Sequence, residues 1–173
     1  MVSTRHTLGA VAGAATAIVL TILDRQGIAA LALVIGVGVG VVSIDAAERR
    51  IPTHLVSLGA GALAACSLVD LILQRDLGRI AAGAVSAVVI GLVFVAIYLW
   101  RPAALGFGDV RLATLIATVV SWGTTEVATA IVAVLFATVG ATIAMALLRR
   151  PSLPFAPFLI PSAVAAVVLS AAL

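Results

Sequence analysis

Two aspartates interrupt long apolar stretches of this sequence. Asp45 lies near the end of one apolar run, and Asp109 follows Gly106-Phe107-Gly108 at the start of another. An Asp at the centre of a membrane helix costs on the order of 2.5–3.5 kcal/mol on insertion scales, so each such residue needs a reason. Two carboxylates that share a proton can activate a water molecule by general acid and base catalysis. We therefore expect a hydrolytic site if the fold brings the two side chains together.

The glycines before Asp109 suit such a site. Gly106 and Gly108 allow close approaches that a side chain would block, beside a carboxylate that a substrate strand must reach. An Asp after a glycine turn is also a common way to begin a helix in any protein. The motif by itself is therefore compatible with both a catalytic and a structural role.

The composition is that of an integral membrane protein. Of the 173 residues, 64% are hydrophobic and only 10% are charged, and the mean hydropathy is +1.31. Nearly the whole sequence divides into apolar segments of the roughly 17–25 residues that a bilayer requires. We expect a single membrane domain over residues 1–173, with no sizeable soluble domain.

Apolar runs separated by charged residues or proline define the predicted spans. The first run, preceded by Arg5, has features of a signal peptide, but the further runs favour a retained span. The predicted fold is an all-α polytopic transmembrane bundle of about seven spans. The predicted spans cover residues 8–23, 28–47, 55–73, 80–100, 109–122, 127–148 and 158–172.

The arginines indicate how these spans are oriented. Cytoplasmic loops of membrane proteins carry an excess of cationic residues. A cytoplasmic N-terminus places seven arginines inside and three outside, and it puts Asp45 and Asp109 at the same cytoplasmic face. The inside group is Arg5, Arg49, Arg50, Arg101, Arg111, Arg149 and Arg150, and the outside group is Arg25, Arg75 and Arg79.

The other polar residues do not indicate a second catalytic or binding site. The arginines are scattered, which argues against nucleic-acid binding. Cys66 is the single cysteine, so it permits neither a disulfide nor a cysteine-based zinc site within one chain, and we expect it to be a packing residue. We assign no role to His54. Four acidic residues are expected at external span ends, solvated by water or by neighbouring arginines: Asp24, Asp70, Asp76 and Glu126.

Three ordered sequence elements resemble those of the prepilin peptidases, which are membrane aspartic proteases. Asp45 lies upstream of Ile51-Pro52, as the first aspartate of that family does. Gly106-Phe107-Gly108-Asp109 matches the Gly-x-Gly-Asp motif that carries the second aspartate. Leu153-Pro154-Phe155-Ala156-Pro157-Phe158-Leu159 is similar to the Pro-Phe-x-Pro-Phe segment before the last span. The resemblance extends over residues 28–160.

This resemblance implies that Asp45 and Asp109 cleave the leader of prepilin-like membrane proteins at the cytoplasmic face of the inner membrane, with no metal or cofactor. It implies the short form without a methyltransferase region, associated with tight-adherence or related type IV pilus systems. Thr53 and Arg111 differ from the residues that the family often has at these positions, so the resemblance does not specify which substrate is cleaved. The resemblance implies that eight residues shape the site: Gly106, Phe107, Gly108, Arg111, Ile51, Pro52, Pro154 and Pro157.

Other functions stay open at this point. Presenilin-like proteases also use Gly-x-Gly-Asp, but they pair it with Tyr-Asp and Pro-Ala-Leu, whereas this chain has Ile44-Asp45 and no Pro-Ala-Leu. Paired membrane aspartates also occur in proton-coupled transporters, which place their binding sites near the midplane. A noncatalytic scaffold would tolerate replacement of either aspartate. Among loop residues, Glu48 is the one best suited to contact a cationic leader, and the oligomeric state does not follow from the sequence.

Overall fold

The fold is a bundle of seven helices in a computed structural model that describes residues 4–23, 25–48, 50–100, 105–149 and 154–172. No β-strand occurs in these segments, which confirms the all-α prediction. Each predicted span overlaps one helix, and their ends differ by at most four residues. A π-helical turn, Asp70–Gln74, extends the third helix. The helices are α1 (Thr4–Ile22), α2 (Gln26–Glu48), α3 (Thr53–Val69), α4 (Leu77–Trp100), α5 (Phe107–Thr124), α6 (Val127–Leu148) and α7 (Ala156–Ala172).

Four of the described segments are long and apolar enough to cross a membrane. They are Gln26–Asp45, Thr53–Gln74, Leu77–Trp100 and Val127–Leu148, and shorter apolar segments lie in α1 and α7. Large apolar side chains cover the outer surface of the bundle. A soluble monomer rarely exposes such extensive apolar patches, so this surface fits contact with lipid.

Helix α5 lies at the centre of the bundle. It packs against α2, α3, α4, α6 and α7. Asp109 and Arg111 lie near its beginning, and most of its later residues are buried. Because protein surrounds α5 on several sides, its polar residues need not face the lipid. The central position therefore explains how α5 carries Asp109 near one end, whereas Arg111 is exposed there.

Small residues allow the helices to approach closely. A Cβ atom on Gly36 of α2 would lie 2.8 Å from the Cα atom of Gly13 in α1. A Cβ atom on Gly123 of α5 would overlap the side chain of Ala30 in α2. Close approach of this kind is how membrane helices gain packing energy without a hydrophobic driving force. Helix α2, which carries Asp45, is therefore held tightly between α1 and α5.

The prediction that Asp70 is solvated at an external span end is wrong. Asp70 is fully buried, and the side-chain amide of Gln26 donates a 3.1 Å hydrogen bond to its Oδ1 atom. The same Gln26 amide donates to Gln74, whose own amide donates to the backbone oxygen of Thr21. The π-helical turn places Asp70 and Gln74 toward α1 and α2. The Gln26 hydrogen bond therefore replaces part of the water expected around Asp70, whose Oδ2 atom is buried with no partner in the described part of the chain.

The other predictions for minor residues have mixed outcomes. Asp76 forms a 2.7 Å ion pair with Arg79, and Glu126 is exposed directly before α6, as expected. Cys66 is buried in the core, which confirms its packing role. Five residues named above lie outside the described residues: Asp24, Arg49, Arg101, Arg150 and Leu153.

Candidate active site

Asp45 lies near the end of α2 and is held by the first turn of α7. Only 4% of the residue is exposed. The backbone N–H of Ala156 donates a 3.3 Å hydrogen bond to its Oδ2 atom. Ala156 is the first residue of α7, where backbone N–H groups have no partner within the helix. Asp45 thus caps a helix that begins 111 positions later in the chain.

The sequence of α7 explains why the Ala156 N–H is free to bind Asp45. The backbone oxygen of Phe155 accepts hydrogen bonds from the N–H groups of Phe158 and Leu159, at 3.0 and 3.2 Å. Pro157 lies between Ala156 and Phe158 and has no N–H group. The Ala156 N–H, at the first position of α7, is therefore the remaining donor of this turn, and it binds a distant acceptor. Pro154 lies half-buried just ahead of this turn.

Asp109 is the third residue of α5 and is held by the backbone of Gly106. The Gly106 N–H donates a 3.0 Å hydrogen bond to Asp109 Oδ2, and the Asp109 N–H donates a 3.0 Å bond to the Gly106 oxygen. A Cβ atom on Gly106 would lie only 3.1 Å from that same carboxylate oxygen. The glycine therefore leaves room for the carboxylate to fold back over the start of its own helix.

Gly108 brings the start of α5 against the link between α2 and α3. A Cβ atom on Gly108 would lie 2.9 Å from the Cβ atom of Ile51. Ile51 packs against the core, and Pro52 follows in an extended conformation directly before α3. This contact connects the segment that follows Asp45 to the segment that carries Asp109. The predicted grouping of Ile51, Pro52 and Gly108 near the aspartates agrees with these positions.

The two carboxylates belong to segments that are in contact. Gly108, next to Asp109, meets Ile51 of the segment that follows Asp45, and neither carboxylate has an ion pair within the described part of the chain. Each one uses its Oδ2 atom for the hydrogen bond from a backbone N–H. In the described part of the chain, no group donates a hydrogen bond to either Oδ1 atom. Asp45, Ile51, Asp109 and Ala156 define what we call the aspartate end of the bundle.

An aromatic wall borders the aspartate end. The rings of Tyr98 and Phe107 lie 5.5 Å apart, and the guanidinium carbon of Arg111 lies 4.6 Å from the centre of the Phe107 ring. A cation over an aromatic face is attracted to it, so Arg111 fixes the exposed Phe107 ring. Nearby, the rings of Phe94 and Phe155 are 5.9 Å apart. These contacts fasten α4 to the starts of α5 and α7.

Sequence reasoning missed three of these groups. Nothing in the sequence distinguished Tyr98 or Phe94 from other apolar residues of the fourth span. Ala156 acts through its backbone N–H, so its side chain gives no indication of this role. Pro157 beside it is a residue typical of the first turn of a helix, where N–H groups have no partner within the helix. Glu48, a weaker candidate, forms a 3.3 Å ion pair with Arg50 at the exposed end of α2.

The described residues bring most of the predicted site together. Asp109, Gly106, Gly108 and Ile51 lie together, Phe107 and Arg111 form the adjoining wall, and Asp45 lies against the start of α7. No group of three or more His, Cys, Asp or Glu side chains suited to a metal ion occurs in the described part of the chain. No known protein family, curated protein or solved structure shows a significant match to this chain.

Proposed function

We propose that this chain is an aspartic endopeptidase of the prepilin peptidase type, with Asp45 and Asp109 as the catalytic pair. The observation that carries the proposal is the contact between the segment that follows Asp45 and the start of α5, which carries Asp109, where each of the two carboxylates accepts a hydrogen bond from a backbone N–H. The resemblance in the order and spacing of the three sequence elements supports the same assignment.

The chemistry is hydrolysis by an activated water. Two neighbouring carboxylates disfavour simultaneous ionisation, so the pair holds one proton between them. The ionised carboxylate takes a proton from water while the water oxygen attacks the carbonyl carbon of the scissile bond. The protonated carboxyl donates its proton to the carbonyl oxygen, which gives a tetrahedral diol. Proton transfer to the amide nitrogen then breaks the C–N bond and releases a carboxyl and an amine product.

The substrate is a prepilin-like membrane protein, cut where its leader meets an apolar helix. The arginine distribution supports a cytoplasmic N-terminus. With alternating spans, this orientation puts the aspartate end at the cytoplasmic face of the inner membrane. The leader therefore reaches the pair without crossing the bilayer.

Asparagine substitutions separate catalysis from helix capping. An Asn side chain still offers an oxygen acceptor to the N–H of Ala156 or Gly106, and Asn caps helices about as well as Asp. Asp45→Asn and Asp109→Asn should therefore fold and insert normally. General acid and base groups contribute about 10²–10⁴-fold each, so each variant should lose at least that much activity.

The test is co-expression of each variant with candidate prepilins from the same genome, followed by mass spectrometry of the pilin. Asp76→Asn, directly before α4 and far from the aspartate end, is the matched control and should process normally. Cleavage that persists in either well-inserted site variant would leave only the capping role and refute the peptidase assignment.

A further inference from the structure

A groove opens on the surface of the bundle between α3 and α4. Both helices pack against α5, but they barely touch each other. The resulting space has a volume of about 680 Å³, and apolar residues of α3, α4 and α5 line nearly all of it. Side chains on the outer faces of α3 and α4 are exposed, so the groove opens sideways toward the lipid.

The groove follows α5 from the aspartate end toward the far end. Its floor is formed by residues of α5 from Phe107 to Trp122, including Thr114 and Thr118. At 1.5 Å per residue, this floor is roughly 22 Å long, most of the thickness of a bilayer core. The hydroxyls of both threonines donate to backbone oxygens of α5, at 2.8 and 2.6 Å. The floor is thus long, and both threonine hydroxyls are satisfied within α5, whereas the buried indole N–H of Trp122 has no partner in the described part of the chain.

The side walls of the groove consist mainly of small residues. Ala60 and Ala64 lie one turn apart on α3, and Ala84 and Gly91 lie on α4. The three alanines are exposed, and no described part of the chain covers them. Small residues on a membrane helix allow another helix backbone to approach closely. An acyl chain needs no such surface, because it packs equally well against larger apolar side chains.

The aspartate end of the groove is continuous with the candidate active site. Phe107, Val110 and Arg111 line that end, and Asp109 lies in the same turn of α5. A peptide bond within a helix is protected by its hydrogen bonds, so a scissile bond must lie at or beyond a helix end. A helix seated in the groove would end at the level of Asp109.

We propose that the groove between α3 and α4 binds the apolar transmembrane helix of the substrate and presents the segment before that helix to Asp45 and Asp109. This inference rests on the proposed function and adds the place and chemistry of substrate docking. A helix about 10 Å wide does not fit inside an enclosed space of this volume. A laterally open groove receives one face of the helix and leaves the other in lipid.

Photo-crosslinking tests the docking site without requiring cleavage. A benzophenone amino acid is placed at Ala64 or Ala84 in the full chain carrying Asp109→Asn, reconstituted in phosphatidylcholine vesicles. Ala81 is the matched control, since it is exposed on α4 but does not line the groove. The probe is a synthetic peptide with a short cationic leader and one apolar helix. We expect several-fold more peptide adduct from Ala64 and Ala84 than from Ala81.

Three crosslinking results would overturn the proposal. Equal adducts from Ala81 would mean that the peptide contacts the outer surface without preference. Adducts with lipid alone would identify the groove as a lipid site. Adducts between two copies of the chain would identify it as an interface for self-association.

A second variant separates docking from the catalytic function. Ala64→Phe fills the groove from an exposed position, and overpacking of this kind should weaken cleavage of a helix-bearing substrate on the order of tenfold, through KM. A leader peptide that lacks the helix should be cut at the wild-type rate, and Ala81→Phe should change neither reaction. Equal losses with both substrates would contradict docking in the groove. If the wild type cuts neither substrate, the proposed function fails, while the crosslinking result still decides what the groove binds.

Discussion

The contact between Gly108 and Ile51 sets how closely the start of α5 approaches the link that leaves α2. A methyl group on Gly108 would lie 2.9 Å from Ile51 Cβ, whereas unbonded carbon atoms usually stay about 3.5–4.0 Å apart. In Gly108→Ala, one of the two segments must therefore move by roughly 0.6–1 Å. A misplacement of about 1 Å can cost 100-fold in rate. We expect Gly108→Ala to lower kcat/KM for prepilin cleavage by roughly 10- to 100-fold.

The same clash should be visible in stability. Overpacking a site of this kind costs about 1–3 kcal/mol, which lowers the thermal unfolding midpoint in detergent. Gly61→Ala is the control, because a Cβ atom on Gly61 meets nothing within 4 Å. That change removes a glycine from the interior of α3, so it should stabilise the protein by about 0.5–1 kcal/mol and leave cleavage unchanged.

A double-mutant cycle identifies the atom responsible. The next nearest atoms of Ile51, Cγ1 and Cδ1, would lie 3.6 and 3.7 Å from the new methyl group, at ordinary contact distance. Ile51→Gly removes the Cβ atom and should restore activity to Gly108→Ala, relative to the Ile51→Gly single variant. Ile51→Ala keeps that atom and should not. Full activity of Gly108→Ala, or equal rescue by both Ile51 variants, would refute the reasoning.

Two further predictions concern stability and metal dependence. Asp70→Ala removes an acceptor of the buried Gln26 amide, so it should lower the free energy of unfolding by about 1–3 kcal/mol. Glu126→Ala, at an exposed position, should change it by less than about 0.5 kcal/mol; similar unfolding midpoints for the two variants would contradict the importance of burial. Cleavage by the purified protein should continue in excess EDTA, because the two aspartates activate water without a metal. Activity that EDTA abolishes and a divalent cation restores would rule out that mechanism.

The helices could be predicted from the sequence because apolar runs of membrane length leave few alternatives. The predicted start of the fifth span, Asp109, is two residues later than the observed start of α5, because a charged residue normally marks the edge of an apolar run. The helix in fact begins at Phe107, since Asp109 folds back to accept the Gly106 N–H. The hydrogen bond that the Asp109 carboxylate accepts therefore lets α5 begin two residues before the charged residue at which the apolar run was expected to start.

Long-range partners could not be predicted from the sequence. Asp70 resembles any aspartate near the end of a span, and its partner Gln26 is 44 positions away. Nothing in the apolar pattern indicates that the π-helical turn directs Asp70 into the bundle. The hydrogen bond between Asp45 and Ala156 could not be predicted either, because every residue type except proline has a backbone N–H. The sequence motif identified Asp45 as important, but only the fold shows that α7 positions it.

The location of the aspartates favours hydrolysis over proton transport. A transporter must move its ion between two faces, which requires polar groups along the path. Below Asp109, α5 buries Leu112, Ile116, Val119 and Val120, and beyond Arg111 its polar side chains, including Thr114 and Thr118, are not ionisable. In the described part of the chain, the next buried carboxylate is Asp70, which lies with Gln26 and Gln74 rather than along α5. The two aspartates therefore lie near one end of α2 and α5 with no second carboxylate along α5 to relay a proton, which supports the proposed peptidase over a transporter.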